Sequence, residues 1–126
     1  MKTIPFGLPC ISNEEISAVK KVIESKWIGS GPITQEFERK FKIYKKSKYA
    51  LSVNSCTAAL HLSLRVLGIQ EGDEVITTPL TFCSTINSII LTGAKPVLVD
   101  IDKETLNIDE TKIEKKITKK TKAMII

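Results

Sequence analysis

The stretch Val53-Asn54-Ser55-Cys56-Thr57-Ala58-Ala59-Leu60 reads as the end of a strand running into the start of a helix. Small or polar residues, Asn54 to Thr57, occupy the junction. A helix N-terminus presents unpaired N–H groups and a partial positive charge, which favours an anion. Small side chains let the backbone approach phosphate oxygens, and Ser55 and Thr57 add hydroxyls. The same residues serve equally well as an ordinary N-cap, a role Ser and Thr often take. Two nucleotide-binding signatures are missing, G-x-G-x-x-G and G-x-x-x-x-G-K-[ST]. A phosphate here would be held neither as in a dinucleotide fold nor as in a P-loop enzyme.

Around this junction the chain alternates strands and helices. "YALSV" (49–53) is expected as a short buried strand, and "TAALHLSLRVL" (57–67) as a helix that Gly68 ends. "EVITT" (74–78) is a strand stopped by Pro79, "STINSIILT" (84–92) a helix stopped by Gly93, and "KPVLVDI" (95–101) a strand. "DETKIEKKI" (109–117) is expected as a helix and "KAMII" (122–126) as a fourth strand. These strands are continuous apolar runs rather than alternating ones. That pattern predicts an α/β fold, a mainly parallel sheet flanked by helices on both faces. Ligands bind such sheets at the carboxyl ends of the strands. Phe82 falls just after the 74–78 strand, on that edge, where it is either a ring that stacks on a planar ligand or a core residue opening a helix.

Before Tyr49 the character differs. After an extended "TIPFGLP" (3–9), Ser12 and Glu15 form a capping box for a helix to about Lys26, with Ile16, Val19 and Ile23 as its buried stripe. "WIGSGP" (27–32) interrupts, and a second helix runs from about Pro32 with Ile33, Phe37, Phe41 and Tyr44 on one face. The division is 1–47, an arm and two helices, and 48–126, a partial α/β domain.

Composition narrows the function. Of 126 residues, 42% are apolar and 26% charged, which is ordinary globular usage. No apolar run is long enough to span a bilayer, and the N-terminus has no signal-peptide core. Cys10, Cys56 and Cys83 are scattered without a C-x-x-C pair, and His61 is the single histidine, a pattern that suits a reducing cytoplasm rather than a disulfide or zinc scaffold. His61, in the apolar run after the junction, is read as structural. The net charge of +5 owes much to lysines between Lys103 and Lys122, which have no interleaved aromatics and read as a solvated helix face rather than a nucleic-acid surface. Met124, Ile125 and Ile126 end the sequence inside an apolar strand, from which a truncated chain is expected.

"WIGSGP", "VNSCTAALHLSLRVLGIQEGDEVITTPLTF" and "GAKPVLVDID", in this order and spacing, resemble the DegT/StrS family of sugar aminotransferases from about Ile4 onward. The resemblance implies a fold-type-I enzyme using pyridoxal 5'-phosphate (PLP), with the junction as its phosphate cup. Backbone amides around Thr57 and Ala58, with the Thr57 hydroxyl, would hold the phosphate. Cys56 stands where the family often has glycine, and Phe82 matches the aromatic that packs on the pyridine ring. Trp27 and Ser30 lie in a loop matching one near the sugar site. The implied reaction aminates a nucleotide-linked keto-sugar, commonly with glutamate as donor, in surface-polysaccharide or other amino-sugar biosynthesis. The Schiff-base lysine, the aspartate facing the pyridine nitrogen and a smaller second domain are expected beyond residue 126, so no catalytic residue is assigned here. The resemblance also implies a homodimer when full length, with no membrane partner. The 126 residues alone are expected to be inactive and prone to aggregate. Two alternatives stay open, a PLP-dependent sugar dehydratase of the same family, and a non-catalytic binding or regulatory fragment.

Overall fold

The computed structural model describes residues 4, 5 and 7–126, so part of the extended lead-in expected at 3–9 lies outside the described residues. The chain forms two compact units, residues 1–52 and 53–126.

The first unit holds α1 (Asn13–Glu24) and α2 (Pro32–Lys45). The capping box opens α1 as expected. Ser12 accepts from the Glu14 amide at 3.1 Å, while the Glu15 carboxylate takes the Ser12 N–H at 2.6 Å. Pro32 occupies the first turn of α2, where its missing N–H costs nothing. At the far end Lys46 adopts φ 50°, and the amides of Lys46 and Ser47 turn back to Ile43 and Lys42. Phe37 and Phe41 pair at 6.0 Å between ring centroids. The stripe expected to be buried on α1 is instead open, with Ile16, Val19 and Ile23 all about 60% exposed. Periodicity locates an apolar face, but burial needs a second surface, and nothing among the described residues of this unit supplies one.

The expected strand at 49–53 is also absent. Residues 49–53 have no regular secondary structure and pair with no strand among the described residues, and Leu51 is 83% exposed. What holds the segment is Glu38 of α2, whose Oε1 accepts from both the amide and the hydroxyl of Ser52, each at 2.8 Å. A side chain thus replaces the ladder that strand geometry would require.

The second unit contains α3 (Cys56–Val66), β1 (Glu74–Thr77), α4 (Cys83–Ile90), β2 (Lys95–Leu98), α5 (Glu110–Ile113) and β3 (Thr121–Met124). The three strands are parallel in the order β2-β1-β3, so the α/β class holds with three strands rather than four. β1 is central and dry, with Val75, Ile76 and Thr77 fully buried. On one face Val75 packs with Leu64, Ile69, Ile89 and Ala94, joined by Ala123 and Ile125. The helix expected at 109–117 stops after one turn and tightens into a 3₁₀ turn at Glu114–Lys116. Three successive charged residues there offer no apolar face, and a short helix without burial is marginal.

Two glycine turns orient α3 and α4. After α3, Gly68 takes φ 76°, its amide reaches the Arg65 carbonyl and the Ile69 amide reaches Leu64, a Schellman turn sealed by the Leu64–Ile69 contact. After α4, Gly93 takes φ 85° against the turn that follows α3, where a Cβ would lie 3.2 Å from the Glu71 amide nitrogen. Both helix C-termini are therefore pinned at the edge where β1 and β2 begin, and both helices run back toward the carboxyl ends of the strands.

Gly93→Ala should lower unfolding stability by about 1–2 kcal/mol, because the left-handed backbone disfavours a Cβ and the Glu71 backbone crowds it. Chemical denaturation checks this, and an unchanged midpoint would contradict the turn's role. The Ser52 hydrogen bonds hold the Glu38 carboxyl below its usual range. A carboxylate favoured by folding keeps its contribution above the ordinary Glu pKa of about 4.3 and loses it as pH falls through the lowered folded value. The Ser52 amide resonance should titrate with a midpoint below that ordinary value, and Glu38→Gln should abolish the titration.

Candidate anion and aromatic site

α3 spans about 16 Å at 1.5 Å per residue, enough to carry its N-terminus from the pinned amino edge to the carboxyl edge of the sheet. α4 opens at the same edge, immediately after β1 and its loop. Phe82 therefore lies at the carboxyl edge, and α3 is long enough to bring Cys56, Thr57 and Ala58 to the same edge. Trp27 and Ser30 belong to the first unit and form a separate turn.

At the N-terminus of α3, Ser55 is the N-cap, and its Oγ accepts from the Ala58 amide at 3.1 Å. The capping reading is thus realised, and it engages one of the amides assigned to the phosphate. The amides of Cys56 and Thr57 have no partner among the described residues, and the exposed Thr57 side chain stands beside them. The open donors are shifted one residue toward the N-terminus from the expected Thr57–Ala58 pair. Cys56 is exposed and free, at the first helical position, and its small side chain leaves the approach to these amides open. Neither α3 nor α4 carries an acidic residue in its first turn, so no side chain of that turn offsets the positive end of its own helix dipole.

Phe82 is the N-cap residue of α4, in extended conformation and 76% exposed. It is not a core residue, so of the two readings of its sequence position only the surface ring survives. Thr81 and Thr85 hydroxyls meet at 2.9 Å across its backbone, fixing the first turn that carries it. At the end of β1, Thr77 is fully buried, and its hydroxyl has no hydrogen-bond partner among the described residues. Sequence reasoning passed over Thr77, because a threonine in an apolar strand carries no local sign that its hydroxyl is unpaired. His61 is half-buried within α3.

The Trp27 turn is tightly built. The Ser25 hydroxyl donates to the Val22 carbonyl at 2.6 Å and accepts from the Trp27 amide at 3.2 Å, and Lys26 takes φ 60°. The indole Nε1 then donates to the Ser30 carbonyl at 3.0 Å. Ser30 thus serves the turn through its backbone. The ring forms one wall of a hollow of about 430 Å³ shared with Ile28, Pro32 and Ile33. A larger hollow, about 600 Å³, runs along α1 and is lined by Glu14, Ser17, Lys21, Val22 and Ile33. No helix among the described residues is long and apolar enough to cross a membrane.

Comparison with known proteins places these features. Residues 9–126 match the sequence profile of the DegT/DnrJ/EryC1/StrS aminotransferase family. The chain is 53% identical over 122 residues to the spore coat polysaccharide biosynthesis protein SpsC of Bacillus subtilis, covering 97% of this chain and 31% of SpsC. It superposes on Spr1654 of Streptococcus pneumoniae in its PLP form with a TM-score of 0.90 at 41% identity, covering 98% of this chain and 31% of that one. DesV of S. venezuelae matches with a TM-score of 0.82 at 37% identity, over 89% of this chain and 30% of DesV. The chain therefore spans about a third of the length of these relatives. Fold, motif order and sequence agree that it belongs to the DegT/DnrJ/EryC1/StrS aminotransferase family.

Proposed function

We propose that residues 1–126 form the N-terminal part of a PLP-dependent aminotransferase that aminates a nucleotide-linked keto-sugar, with glutamate as amino donor, for surface-polysaccharide or other amino-sugar biosynthesis. The observation that carries this reading is the carboxyl edge of the second unit, with two open amides at an α3 N-terminus free of acidic groups and an exposed ring at the start of α4. The donor set fits a phosphate dianion and a flat aromatic ring. Support also comes from SpsC, whose name gives polysaccharide biosynthesis, and from Spr1654, named as a sugar aminotransferase and solved with PLP.

In this reading the amides of Cys56 and Thr57 and the Thr57 hydroxyl hold the cofactor phosphate. Ala58 contributes by keeping its amide on Ser55, which fixes the first turn of α3. Phe82 covers one face of the pyridine ring and excludes water from it. Bound there, PLP would supply an electron sink for moving an amino group between donor and sugar. Trp27 presents an apolar surface to the sugar substrate, with Ser30 supporting it. Proton transfer at the substrate carbon falls to groups outside residues 1–126, and these residues alone are inactive. Residues 48–126 are then the partial cofactor domain and 1–47 the arm and helices that precede it. The full-length protein works as a cytoplasmic homodimer, with neither nucleic acid nor membrane as partner.

The full-length protein should convert glutamate to 2-oxoglutarate beyond one equivalent per bound cofactor only when a nucleotide-linked keto-sugar is present to take the amino group. Absence of 2-oxoglutarate with a panel of such sugars would overturn the amination. A hydrogen bond to a charged group contributes about 1.5–3 kcal/mol, so Thr57→Val should weaken PLP binding by about tenfold or more. Equilibrium titration of PLP checks this. Affinity within about twofold of wild type in both Thr57→Val and Phe82→Ala would contradict the site, since one lost charged hydrogen bond exceeds that margin.

A further inference from the structure

The indole of Trp27 lies directly over the backbone of Gly31. A Cβ added at Gly31 would run into the ring, 2.7 Å from Cδ1 and from Cε2 and closer still to Nε1. Real Cβ atoms do not approach ring carbons that closely, so either the ring or the backbone would have to move. Gly31 has φ −174°, an extended conformation open to any residue, so the backbone itself does not ask for glycine here. The space does. Gly31 also supplies the carbonyl that accepts the first helical hydrogen bond of α2, from Gln35 at 2.9 Å, so its backbone is anchored and the ring is the part that yields.

The ring is otherwise held by little. It is 59% exposed, and its single polar group is spent on the Ser30 carbonyl next to Gly31. A large aromatic at a turn, mostly in solvent with its N–H already paired, offers an apolar face to a ligand at low conformational cost. Its orientation depends on the ring lying flat on residues 30 and 31. Any side chain at position 31 lifts the indole off and breaks the Nε1 hydrogen bond.

We propose that Gly31 is a positioning residue for substrate recognition, setting the pose in which Trp27 stacks on the sugar substrate. This deepens the reading of Trp27 given above and rests on it. Gly31 touches no substrate in this scheme and acts only through the indole.

The test is a double-mutant cycle in the full-length protein with Gly31→Ala, Trp27→Ala and the pair, read in two ways. The first is steady-state kinetics with the keto-sugar. Gly31→Ala should raise KM by about tenfold with kcat within about threefold, the pattern of lost binding rather than lost chemistry. In the Trp27→Ala background the same substitution should change KM by less than about twofold, because the ring it displaces is gone. The second is the Trp27 fluorescence contribution, taken as the difference from Trp27→Ala, whose emission maximum and quenching by iodide should change in Gly31→Ala without substrate. An unchanged KM in Gly31→Ala would overturn the proposal, as would an equal rise in the Trp27→Ala background. If the wild-type protein binds PLP but no nucleotide-linked sugar, the stacking role falls and the cofactor reading stands. If it binds neither, the reading under Proposed function falls, and an unaltered Trp27 emission in Gly31→Ala would independently remove Gly31 from control of the ring.

Discussion

α3 and α4 each end in a glycine with left-handed backbone, and both turns are held against the edge where the strands begin. Everything at the other edge depends on that anchoring. α4 opens just after the carboxyl end of β1, α3 is long enough to reach the same edge, and neither helix has an acidic residue in its first turn. The buried cluster of Leu64, Ile69, Val75 and Ile89 joins both helices to the central strand. The proposed anion site would thus follow from where the chain turns back, with the Ser55 cap engaging the Ala58 amide and leaving those of Cys56 and Thr57 open.

How much of this could be read from the sequence varies with the range of the interaction. Local chemistry was legible, as in the Ser12–Glu15 box, Pro32 at the start of α2 and Gly68 at the end of α3. The parallel character of the sheet followed from the alternation of continuous apolar runs with helices, whereas the order β2-β1-β3 needed the structure. Burial that needs a distant partner was not legible. Residues 49–53 have a strand's composition but no neighbour to pair with among the described residues, and the Ile16, Val19 and Ile23 stripe has the periodicity of a core face but is open to solvent. The short α5 failed for a related reason, since charged residues keep helical propensity without giving a helix anything to pack.

Within the site, the residue types at 56–58 and 82 could be named from the motif series, but the division of labour among them required geometry. Ser55 takes the Ala58 amide, leaving Cys56 and Thr57 as the open donors. The Ser30 carbonyl, not its hydroxyl, meets Trp27. The need for glycine at position 31 is a through-space fact, invisible in a turn whose backbone angle any residue could adopt. Glu38 is similar, a charged helix residue whose reach to Ser52 no local pattern announces.

We infer that the open amides at the start of α3 and the ring of Phe82 receive one ligand, a phosphate joined to a planar aromatic. The decisive measurement is a crystal structure of the full-length protein grown with PLP. The phosphate is expected on the amides of Cys56 and Thr57, with the Ala58 amide still on Ser55 and Phe82 stacked on the pyridine ring. Phosphate density at another helix, or a ring of Phe82 turned away from the cofactor, would contradict it.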